Sequence, residues 1–66
     1  MKIKVKRVGK EEELSLKDGS TIMDVLNILN INPVTVVVSL NGRIRPEEEK
    51  LNDGDILEII NVISGG

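Results

Sequence analysis

The group in this sequence best placed to do chemistry is not a side chain. The chain ends in Gly65-Gly66, one serine after an apolar strand, which presents the Gly66 α-carboxylate at the end of a stalk. Without Cβ atoms, the last two residues can enter a narrow channel and take backbone angles that other residues avoid. An α-carboxyl group titrates at roughly pH 3.3–3.7, so it is ionised at neutral pH and is a poor electrophile. To react it must be activated, and adenylation by ATP is the obvious route. By itself a Gly-Gly end reads more readily as a frayed terminus, because chain ends are commonly disordered.

The other residue types leave little room for catalysis by the chain alone. There is no histidine and no cysteine, so the usual neutral-pH base and the usual nucleophile–base pairs are missing. The acidic residues read as a strand start (Glu11-Glu12-Glu13), a helix cap (Asp24), a loop and a turn, and not as a metal site. No glycine-rich loop opens a helix to cradle phosphate. The net charge is −2 with both signs mixed, and there are no aromatic residues, which argues against a nucleic-acid binder. No apolar run is long enough to span a membrane, and the opening MKIKVKRV alternates too strictly for a signal peptide. The expectation is a monomeric cytoplasmic protein that binds no cofactor or metal of its own and is not an enzyme.

The stalk needs a scaffold, and 66 residues supply one domain with a thin core. Met1, Ile3 and Val5 alternate with Lys2, Lys4 and Lys6, the period of a half-buried strand. A two-residue loop at Gly9-Lys10 would return the chain with Val5 opposite Leu14, Ile3 opposite Leu16, Lys6 opposite Glu13 and, adversely, Lys2 opposite Lys17. Thr21 and Asp24 resemble a capping box. Ile22, Val25, Leu26 and Leu29 follow at helical spacing, predicting a helix of about ten residues that is marginal unless packed. Asn30 or Asn32 can end it in a left-handed conformation, and Pro33 stops it. Residues 35–40 form a third strand. Asn41-Gly42 is a strong hairpin signal, Arg43-Ile44-Arg45 is a short edge strand ended by Pro46, and Leu51 anchors an acidic connection. Asn52-Asp53-Gly54-Asp55 turns into a last strand over 56–63.

Strand, strand, helix, strand, short strand, strand is the β-grasp order. The fold class is therefore α+β, ubiquitin-like: a mixed sheet of four to five strands, one helix across one face, and the first and last strands parallel at the centre. Residues 1–63 make the domain and 64–66 the flexible tail. If Leu57 and Ile59 face the helix, then Ile56, Ile60 and Val62 face outward with Val37 and Val8, and Ile44 lies beside Ser39. Such a contiguous apolar patch on a small protein suggests a partner surface. A shifted register would turn these residues inward, and a dimer would bury them.

Several segments in their order and spacing resemble the ThiS-like family, the sulfur carriers of thiamine biosynthesis. They are Thr21-Ile22 with Val25-Leu26, Asn41-Gly42-Arg43-Ile44-Arg45-Pro46, Asn52-Asp53-Gly54-Asp55-Ile56-Leu57, and Val62-Ile63-Ser64-Gly65-Gly66. The resemblance implies that a ubiquitin-activating-type enzyme (ThiF/MoeB-like) uses ATP to adenylate Gly66. A persulfide donor would then convert it to a thiocarboxylate, and the sulfur would pass to an acceptor such as a ThiG-like thiazole synthase. Gly65 and Ser64 would let the tail thread, and Ile60, Val62, Val37 and Ile56 would meet the partner. The small subunit of molybdopterin synthase (MoaD-like) shares the fold and ending. Related proteins supply sulfur for tRNA or are conjugated to lysines as modifiers.

Overall fold

The computed structural model describes residues 1–62. Five strands are formed: β1 (Lys2–Arg7), β2 (Lys10–Ser15), β3 (Val36–Leu40), β4 (Arg43–Arg45) and β5 (Ile56–Asn61), with one helix, α1 (Ile22–Ile28), between β2 and β3. They make a single sheet in the order β2-β1-β5-β3-β4. β1 and β5 run parallel at the centre, and every other pair is antiparallel. This is the mixed-sheet β-grasp that the element order predicts.

One face of the sheet carries the core. Ile3, Val5, Val36, Val38, Leu40, Leu57 and Ile59 pack with Ile22, Val25 and Leu26 of α1 and with Leu51. α1 starts at the capping box: Asp24 N–H donates to Thr21 Oγ1 at 3.3 Å, and Thr21 N–H donates to Asp24 Oδ2 at 2.9 Å. The helix has seven residues, fewer than its apolar spacing predicts. Leu29 already leaves helical geometry and Asn30 takes a left-handed φ of 60°. Asn32 instead caps a short 3₁₀ turn, with its side chain accepting from Val34 N–H at 3.0 Å.

The β1–β2 register differs from the sequence expectation by two residues. Arg7 pairs with Lys10, so the loop is Val8-Gly9, and Gly9 holds the positive φ of 70° at the second central position, where a type II turn requires it. The shift is even, so every side chain keeps its face. Its physical reason lies in the charges of the open face, although on the other face it sets Arg7 against Lys10 where the expected register has Glu12. Lys4 now faces Glu13, Lys6 faces Glu11, and Lys2 faces Ser15 rather than Lys17. Ion pairs Lys4–Glu11 (3.6 Å) and Lys2–Glu13 (4.0 Å) cross the hairpin diagonally. Ile3 meets Leu14, and Val5 meets Glu12. Val8, expected on the sheet, sits in the turn and is 85% exposed. The second hairpin matches its signal: Asn41 and Gly42 both have positive φ (52° and 89°), as a type I′ turn requires, and Ser39 faces Ile44.

Candidate functional site: the two faces of strand β5 and the tail exit

β5 is the strand that leads to the tail. Ser64, Gly65 and Gly66, together with Ile63, lie outside the described residues. The described part of the strand alternates cleanly: Leu57 and Ile59 are buried beneath α1, while Ile56, Glu58 and Ile60 face away from it. Val37 pairs with Ile60, and Val62 N–H donates to Thr35 O at 3.1 Å. Ile60 (37% exposed), Val62 (54%) and half-buried Val37 therefore lie together on the open face at the tail end. Ile44 (62%) approaches them from the edge strand across Ser39. Ile56 (41%) is at the opposite end of the same face, beyond Glu58 and beside Lys4.

At that opposite end, side chains read from sequence only as turn formers hold the strand. Asn41 Oδ1 accepts from Ile56 N–H at 2.9 Å, and Asn41 Nδ2 donates to Asp55 Oδ1 at 3.0 Å. A donor on one side and an acceptor on the other fix the amide in one orientation. The other Asp55 oxygen accepts from Asn52 N–H at 2.7 Å, closing the turn. Asp53 reaches a different strand: its Oδ1 accepts from Lys2 N–H at 2.7 Å, while Gly54 N–H donates to Lys2 O at 2.8 Å. The Asn-Gly hairpin, the Asp-Gly-Asp turn and the start of β1 are thus one hydrogen-bonded clamp. The signal in the sequence was the pair of Asx-rich turns; what joins them is contact across 14 and 51 positions of chain.

The described residues offer no competing centre. They contain no group of three or more acidic side chains placed to hold a metal ion, and no helix long and apolar enough to cross a membrane. The arrangement is a β-grasp body that fixes β5 firmly at its start and presents apolar side chains where the strand runs toward the Gly-Gly end.

Known proteins share this fold. The sulfur carrier protein TtuB of Thermus thermophilus is 32% identical over 62 residues, covering 94% of this chain and 95% of its own length. Small archaeal modifier protein 2 of Haloferax volcanii is 30% identical over 67 residues, with both chains covered in full. Among solved structures, the thiamine biosynthesis protein ThiS of Geobacter metallireducens superposes with a TM-score of 0.67 at 22% identity, covering 96% of this chain and 99% of that one. One chain of the Helicobacter pylori complex of molybdopterin-converting factor subunits 1 and 2 gives a TM-score of 0.66 at 23% identity, with that chain and this one both covered in full. The ThiS family model matches residues 3–66, and the chain belongs to the ThiS family of small ubiquitin-like sulfur carriers.

Proposed function

We propose that this protein carries sulfur as a thiocarboxylate on Gly66 and delivers it to thiazole formation in thiamine synthesis. The observation that supports this most is that the family match runs through Gly66 in a chain with no cysteine. No side chain can hold sulfur as a persulfide or receive an acyl group as a thioester, which leaves the terminal carboxylate. One carboxylate oxygen attacks the α-phosphorus of ATP and pyrophosphate leaves, giving an acyl-adenylate. The terminal sulfur of a donor persulfide then attacks the acyl carbon and AMP departs. A thiol cleaves the resulting acyl disulfide and frees the thiocarboxylate.

The chain is a protein cosubstrate in this scheme. A ThiF/MoeB-like adenylating enzyme supplies the active site and uses the ATP, and a ThiG-like synthase accepts the sulfur, all in the cytoplasm. Residues 1–63 are the body that the enzyme grips, and Ser64 and Gly65 thread the tail. Ile60, Val62 and Val37 form the apolar contact, with Ile56 at its far margin.

A second reading, a protein modifier, is favoured by the full-length likeness to small archaeal modifier protein 2. It shares the adenylation step and differs in the nucleophile, a lysine amine instead of a persulfide. Incubation with the adenylating enzyme of the same genome, ATP and a sulfur donor, followed by intact-mass analysis, separates the two. The carrier exchanges one oxygen for sulfur at Gly66, and deleting Gly66 abolishes the exchange with an unchanged melting temperature. Adenylation without sulfur gain, with the chain joined to lysines of other proteins, would replace the carrier reading by the modifier. Disruption of the gene should impose a thiamine requirement relieved by the thiazole; growth without that requirement would remove the thiamine assignment.

A further inference from the structure

The open-face pairs of the β1–β2 hairpin are complementary in charge, Lys4 with Glu13 and Lys6 with Glu11. The pair beside the turn is not. Arg7 lies directly opposite Lys10, and like charges so placed weaken an antiparallel pair. Among the described residues the ion pairs are Met1–Asp18, Lys2–Glu13 and Lys4–Glu11, so neither Arg7 nor Lys10 is neutralised there. A glutamate at either position would turn this into an opposite-charge pair. Folding therefore does not account for both cations, and departures of this kind concentrate at functional places.

Their location is specific. With Val8, Ile31, Ile59 and Asn61 they line a cavity of about 210 Å³ whose wall has no acidic side chain. Ile59 and Asn61 are the last helix-side positions of β5, and Ile60 and Val62 occupy the other face of the same strand end. The cavity and the apolar patch thus flank the tail exit from opposite sides.

Building on the tail reading above, we propose that Arg7 and Lys10 form a basic seat for an acidic segment of the enzyme that adenylates Gly66. The apolar patch on one face would set how long the complex lasts, and the seat on the other how fast it forms. Surface charge of this kind acts mainly on encounter rate and its salt dependence. A nucleic acid suits the place less well. Its continuous phosphates would meet Glu11 and Glu58, which stand with Lys6 on the ledge beside the seat, and the chain has no aromatic side chain to stack on bases. A short acidic protein segment carries charge only where the two cations are.

The test is the association rate of the full chain with that enzyme, measured by stopped flow at low and high ionic strength. Wild-type association should slow as salt rises. Arg7→Glu combined with Lys10→Glu should slow it at least about tenfold at low salt, within the range charge steering covers, and flatten or invert the salt slope. Arg7→Gln with Lys10→Gln should fall between. Lys17→Glu with Lys50→Glu changes net charge equally, past the far end of β2 and beside the start of α1, and should stay within about twofold, because exposed charges beyond a screening length interact little. Arg7→Glu alone, which creates an opposite-charge pair with Lys10, should melt no lower than wild type while still slowing association. Double reversal with the wild-type rate and salt slope would overturn the seat. So would a control variant slowed as much as the double reversal. A wild-type chain that associates with this salt slope yet never gains sulfur would remove the carrier reading and leave the seat standing.

Discussion

The two ends of β5 are built in opposite ways. At its start, Asn41, Asn52, Asp53 and Asp55 direct side chains or backbone groups at one another and at β1, and Lys4 N–H donates to Asp55 O at 2.9 Å. At its finish, Ile60 and Val62 face solvent and two like charges stand side by side in the neighbouring hairpin. One end satisfies its polar groups internally; the other leaves apolar surface and charge for something outside the chain. The proposed carrier function calls for both: the held end would fix where the tail begins, and the unsatisfied end would give the partner something to grip.

The comparison breaks most visibly at Asn41. Asn41→Ala removes the acceptor for Ile56 N–H and the donor to Asp55, and it puts a residue with a Cβ but no local hydrogen bond at a φ of 52°. A left-handed residue costs roughly 1–2 kcal/mol, and each lost hydrogen bond about 1 kcal/mol. Urea unfolding should therefore report a loss of about 3 kcal/mol. Asn41→Gly relieves the backbone term and should recover about 1 kcal/mol of it. If glycine restores full stability, the side-chain clamp is idle and the start of β5 is held by its backbone alone.

That clamp also marks where the sequence stops being legible. The order of elements, the central parallel pair and the facing of Leu57 against Ile60 follow from period-two alternation and turn residues, which are local signals. The β1–β2 register was missed by two residues because Gly9 fits either central position of a turn, and alternation is blind to an even shift. Cross-strand charge is divided between the two: the open face favours Lys2 facing Ser15 over Lys17, while the other face gives up Arg7 facing Glu12 for Arg7 facing Lys10. Val8 went astray for the same reason. The helix came out short because Asn30, not Asn32, takes the left-handed turn. Asn41 and Asp53 looked like turn residues and nothing more, since their second role depends on groups that only the folded sheet brings near. At the tail, the sequence pointed to a reactive group, and the described structure adds the surface beside it.

The unsatisfied end should respond in function before stability. Ile60→Asp lies on the open face, 37% exposed, so its cost to folding should be of the order of 1 kcal/mol, the span of strand propensities. Binding to the adenylating enzyme, followed by calorimetry, should weaken by about tenfold or more, which is about 1.4 kcal/mol. Unfolding of the domain by this single change would place Ile60 in the core and reverse the two faces of β5.

Hydrogen exchange can sharpen the contrast without any substitution. The amides of residues 2–6 and of Leu57 to Ile59 belong to the central pair and should open only with the whole domain. The amide of Val62, held by one bond to Thr35 O at 3.1 Å, should exchange through local opening at lower free energy. Equal protection at both ends of β5 would remove the asymmetry from which the tail argument starts.

The smallest expected effect is at Asp53, and it tests whether the clamp is one unit or two contacts. Asp53 Oδ1 accepts from Lys2 N–H at 2.7 Å at the exposed start of β1. Asp53→Ala removes that acceptor, but water can reach the freed donor, so the loss should be close to the net value of one hydrogen bond, about 0.5–1.5 kcal/mol. Asp53→Asn keeps an acceptor oxygen and should lose less than half of that. The two halves of the clamp meet in one turn: Asp55 bonds Asn41 while Asp53 bonds Lys2. Groups sharing a network couple, whereas independent sites add within about 0.3–0.5 kcal/mol. The double variant Asn41→Ala with Asp53→Ala should therefore cost less than the sum of the singles, since either one loosens the turn that the other needs. Strict additivity would mean that Asn41 and Asp53 grip β5 and β1 separately, and that the firmness of the start of β5 comes from two local contacts that happen to be adjacent.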